Sequence, residues 1–107
     1  MIEITFNEKN LELSVKGHAN HGEKGEDIVC SAVSILFYTL AESLNEAKEM
    51  LVKNPRINME DGNGTISCVP KGIYEANVSL MYWTVLNGFE LLASEYEDNI
   101  KLEILNK

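Results

Sequence analysis

The chain has 107 residues, 45% of them apolar, and its 17 acidic against 9 basic side chains leave a formal charge of −8. That length and apolar fraction suffice for one compact core, so a single domain spanning residues 1–107 is expected. The charge repels phosphate backbones and argues against direct nucleic-acid binding; with no twenty-residue apolar run for a bilayer and no basic-then-apolar leader in "MIEITFNEKN", a soluble cytoplasmic protein with no membrane attachment is expected.

Ile2, Ile4 and Phe6 alternate, "NEKN" interrupts, and Leu11, Leu13 and Val15 alternate again, the period of two of a β-hairpin whose second strand ends at Gly17. From Gly17 to Gly25 the residues are small, polar or charged, without periodicity, and predict a loop. Asp27 is placed to cap a helix, because its carboxylate can accept from the unpaired amides of a first turn. Val29, Val33, Leu36, Leu40, Leu44, Ala47 and Leu51 then recur at helical spacing, and the helix is expected to run to about Asn54, where Pro55 disfavours its continuation. Its first half is apolar nearly all round, so more than one surface is expected to cover it.

"RINME" and "TISCV" flank "DGNG" and predict a second hairpin. A second helix is expected from about Tyr74 to Tyr96, with Val78, Val85, Phe89, Leu92 and Tyr96 on one face. Gly88 inside it costs about 1 kcal/mol against alanine unless close packing requires it. Ile100, Leu102 and Ile104 alternate as a last strand. The order ββαββαβ predicts an α+β fold, a mostly antiparallel sheet with two long helices packed on it.

Both histidines and one of the two cysteines fall in "GHANHGEKGEDIVCSAVS", where the glycine-rich loop meets the first helix. A thiolate forms more readily where helix amides converge and an imidazole takes the proton. Cys30 has the first influence by position, and His18 supplies the second if the loop folds the strand end against the helix start. A Cys and His pair with an orienting carboxylate is the minimum for thiol-based acyl transfer. Plainer readings stand beside it: Cys30 as a small core residue, the histidines as solvated loop residues, Cys68 as an inward-facing strand residue. His18, His21, Asp27 and Cys30 are also acceptable zinc ligands, but they form neither CxxC nor HExxH, and no metal or other cofactor is expected. A cytoplasmic chain keeps its thiols reduced, so Cys30 and Cys68 are expected to be free.

Gly17-His18-Ala19, a short glycine-containing loop, Gly25, Asp27-Ile28-Val29-Cys30 and Ser34 resemble the signature of the bacterial ribosomal-processing cysteine protease family, Prp. Looser likeness runs through the two hairpins, the long second helix and "EYEDNIKLEI". The resemblance implies a cysteine endopeptidase, a homodimer, with His18 as catalytic histidine and Cys30 as nucleophile. Asp27 and Ser34 occupy accompanying polar positions, and the loop from Ala19 to Glu26, with Ala19, Gly22 and Gly25, is expected to close as a lid over the substrate. The implied substrate is the precursor of the twenty-seventh large-subunit ribosomal protein, cut after two aromatic residues of its short N-terminal extension. Ser31 follows the cysteine where the family more often has alanine, an exchange of one small residue for another. The alternative from the residues alone is a non-catalytic, ribosome-associated module whose acidic surface holds a basic protein.

Overall fold

A computed structural model describes residues 1–18 and 27–105. Five strands and two long helices follow the expected order: β1 (Ile2–Asn7), β2 (Glu12–Gly17), α1 (Ile28–Glu46), β3 (Arg56–Glu60), β4 (Asn63–Ser67), α2 (Glu75–Glu95) and β5 (Ile100–Leu105). They form one sheet in the order β3-β4-β2-β1-β5, antiparallel throughout except for the parallel pair β1 and β5. The architecture is the α+β fold read from the pattern.

Alternation places Ile2, Ile4, Phe6, Leu13, Val15 and Ile66 on one buried face. Both helices pack there. Phe37 of α1 lies over Gly64 of β4, where an added Cβ would be 2.8 Å from its ring. Tyr82 of α2 stacks on Phe6 at 5.5 Å between centroids, and Trp83 meets the same ring edge-on at 5.5 Å. Such pairs add about 0.5–1.5 kcal/mol each to the burial of the rings themselves. The helices touch at Gly88, where an added Cβ would stand 2.8 Å from Leu36 Cδ2; close approach is the reason for a glycine inside α2. The opposite sheet face carries Glu3, Ser14, Lys16, Lys101 and Glu103.

Two expectations need correction. Helix α1 stops at Glu46 rather than near Asn54. A single 3₁₀ turn, Lys48–Met50, follows, and Leu51 pairs as a bridge with Pro70, fixed by Val52 N–H to Val69 C=O and Lys71 N–H to Met50 C=O, both 2.8 Å. These tertiary bonds, with Leu51 buried, outweigh continuation of the helix. Secondly, α1 is long and apolar enough to cross a bilayer by length and composition, contrary to the expectation of no such span. In the fold it is the core helix, burying Val29, Val33, Phe37, Leu40, Ala41 and Leu44.

The two cysteines are not joined in a disulfide. Cys68 lies one residue past β4, buried, and accepts a hydrogen bond from Tyr82 Oη at 3.4 Å. Burial pushes its pKa up, partly offset by the tyrosine's hydrogen bond.

Candidate active site

The site begins at the end of β2. Gly17 has φ +95, a left-handed conformation that glycine adopts without strain, and a side chain there would meet the Met1 carbonyl. Its N–H donates to the Gly62 carbonyl at 2.7 Å, tying the end of β2 to the two-residue turn, Asp61 and Gly62, between β3 and β4. The next residue, His18, is exposed, and its backbone carbonyl accepts from the Met1 amino group at 2.6 Å. Its ring lies against Gly62.

The other half of the site is the start of α1. Asp27 has the extended backbone of an N-cap, and its Oδ1 accepts from the N–H of Val29 at 2.9 Å and of Cys30 at 3.1 Å. The Asp27 carbonyl accepts from Ser31 N–H at 3.1 Å. Asp27 is buried, so these charge-assisted bonds form away from bulk water and set where the first turn lies. Cys30, half-buried in that turn, is thereby fixed in position.

His18, Asp27, Cys30 and Ser34 all line one cleft of about 960 Å³ between the start of α1 and the β3–β4 turn. The four residues named from the sequence are thus brought together. His21 and the residues expected to form a lid, Ala19, Gly22 and Gly25, lie outside the described residues.

The same cleft carries groups that the sequence reading missed. Ile35 and Tyr38, one and two turns beyond Cys30 on α1, face it together with Met59 of β3, and all three are exposed. Among its described lining residues the charged groups are all acidic: Asp27, Glu60 and Asp61. "DGNG" predicted the turn, but its neighbourhood with His18 comes from the pairing of β2 with β4, which α1 and β3 separate in the chain. An imidazole and a half-buried thiol on one solvent-open cleft are the side-chain types that thiol-based acyl transfer uses as base and nucleophile.

The family model for the cysteine protease Prp matches residues 1–101. The ribosomal processing cysteine protease Prp of Staphylococcus aureus is 30% identical over an alignment of 103 positions that covers 94% of each chain. A crystal structure of the S. aureus essential ribosomal processing protease Prp with a covalently linked product peptide is 28% identical, covers 96% of each chain and superposes with a TM-score of 0.75. A second, with a substrate peptide, is 26% identical, covers 96% of each chain and gives 0.69. A Streptococcus mutans protein, 24% identical and covering 99% of this chain and 93% of its own, shares the fold with a TM-score of 0.70. Family match, relatives and cleft agree: the chain belongs to the Prp family of ribosomal-processing cysteine proteases, and it is a cysteine peptidase.

Proposed function

We propose that this peptidase removes the N-terminal extension of a large-subunit ribosomal protein precursor, with Cys30 as nucleophile and His18 as general base and acid. The observation that carries the reading is the meeting of His18 and Cys30 at one cleft, the first held at a strand end by the Gly17–Gly62 bond, the second by the Asp27 cap. The covalently linked product peptide in the structure of the S. aureus relative supports a covalent route over direct attack by water.

In this mechanism His18 takes the Cys30 proton and Sγ attacks the scissile carbonyl. The tetrahedral intermediate collapses to a thioester as His18 protonates the leaving amine, the new N-terminus of the ribosomal protein. Water, deprotonated by His18, then releases the extension as an acid and restores the thiol. The N–H groups of Val29 and Cys30 are engaged by the Asp27 carboxylate. An oxyanion binds them only by exchanging with Asp27, so Asp27 positions the nucleophile and competes for its donors. Ser34 lies on the cleft one turn beyond Cys30 and stands as a supporting polar group.

The lining also supports the substrate class. Ile35, Tyr38 and Met59 offer apolar surface for aromatic residues beside the cut, while Glu60 and Asp61 suit a chain from the basic ribosomal class. In the same reading the protein is a cytoplasmic homodimer. Two cysteines not joined in a disulfide suit a reducing compartment, and Leu80 and Leu91, exposed on α2, provide apolar surface for a second copy.

Steady-state cleavage of a peptide spanning the extension tests the assignment. Cys30→Ala and His18→Ala are each expected to remove activity while leaving the circular dichroism spectrum and thermal midpoint near wild type. Cleavage surviving either change removes that residue from the mechanism.

A further inference from the structure

We propose that Gly62 is a positioning residue for His18: the β3–β4 turn forms a seat, bare of side chain, against which the imidazole rests. The proposal builds on the reading of His18 as the proton-transfer group. The three heavy atoms nearest to a Cβ placed on Gly62 all belong to that ring: Nε2 at 3.1 Å, Cδ2 at 3.7 Å and Cε1 at 3.8 Å. The space a side chain would take is therefore filled by the Nε2 edge of the imidazole.

Two further observations make this a seat rather than a chance approach. Gly62 has φ +77, so its backbone adopts a geometry open chiefly to glycine and, with some strain, asparagine. Its carbonyl accepts from Gly17 N–H at 2.7 Å, so the turn is anchored to the residue immediately before His18. Ring and seat are thus tied through one hydrogen bond and the Gly17–His18 backbone. An exposed histidine at a strand end otherwise samples several rotamers, and a wall on one side reduces that freedom where proton transfer needs a fixed reach.

Asparagine tolerates the left-handed backbone but carries a Cβ, so Gly62→Asn separates ring displacement from backbone strain. The expected result is a thermal midpoint near wild type, kcat lowered about tenfold to a hundredfold with KM changed less than about twofold, and a shifted acid limb in the pH profile of kcat/KM. Gly62→Ala is expected to show a smaller fall in kcat. Gly72→Ala, whose Cβ enters open space, is the control and keeps wild-type activity. Wild-type kcat and pH profile in Gly62→Asn, or a loss no larger than its unfolded fraction, overturn the proposal. A magnetisation-transfer contact between the Gly62 Hα protons and the His18 ring protons is expected in the wild type, and its absence also overturns the seat. That contact is read without substrate, so a protein that cleaves nothing refutes the proteolytic reading while the seat is still decided.

Discussion

Asp27 is the one buried charged side chain among the described residues, and it caps the helix turn that carries Cys30. Its Oδ1 satisfies two first-turn amides, so Asp27→Ala is expected to cost about 1 kcal/mol by urea unfolding, with Asp27→Asn costing less because its side-chain oxygen still caps. A loss under a few tenths of a kcal/mol for the alanine variant would show that the cap does not hold the helix start. The cysteines give a second contrast. Cys68 is buried and its thiol is pushed up by that burial, so in the native protein it is expected to react with iodoacetamide much more slowly than half-buried Cys30. Equal rates by peptide mapping would contradict the placement of Cys30 on an open cleft. At this scale the sequence singled out by type four residues that the structure places on one cleft: His18, Cys30, Asp27 and Ser34. Composition alone still allowed Cys30 to be a core residue, and only the resemblance separated the readings. Gly62 was not readable as part of the site, because a glycine in a turn signals backbone geometry and says nothing of the side chain lying across it.

The elements followed the periodicity wherever a segment's partner was a face of the core. Alternation in β1 and β2 and the helical spacing of α1 predicted which residues are buried, and Val29, Val33, Leu40 and Leu44 are indeed buried. The end of α1 was misread because Ala47 and Leu51 continue the apolar spacing, while the bonds that terminate the helix come from Val69 and Lys71, about twenty residues on. A local pattern contains no record of such partners. The stripe was also read slightly off: Phe37 and Ala41 are buried, and Leu36 turns toward Gly88 at the contact between the helices. Phe37, fully buried against Gly64 and edge-on to Tyr38 at 5.5 Å, ties α1 to β4 behind the cleft. Phe37→Ala is expected to cost about 3–5 kcal/mol in chemical unfolding. A loss below about 1 kcal/mol would mean that α1 is not seated on the sheet through this ring.

For the whole molecule, the sheet order brings together two regions far apart in sequence. Because β2 pairs with β4, the end of the first hairpin meets the turn of the second, and the start of α1 completes the cleft. The net charge of −8, with Glu60 and Asp61 at the cleft, gives this surface a field that attracts basic chains. If that field assists capture, kcat/KM for a basic precursor falls severalfold as ionic strength rises from about 0.05 to 0.5 M, since the screening length shrinks below the dimensions of the cleft. Salt-independent kcat/KM would assign capture to the apolar lining alone. The central claim, that Cys30 and His18 process a ribosomal protein precursor, is tested most directly by incubating the protein with that precursor and determining the intact masses of the products. The account predicts two products whose masses sum to the precursor plus one water, with the cut after the aromatic pair of the extension, and no products with Cys30→Ala. An unchanged precursor mass with the folded wild-type protein, or the same products with Cys30→Ala, would contradict it.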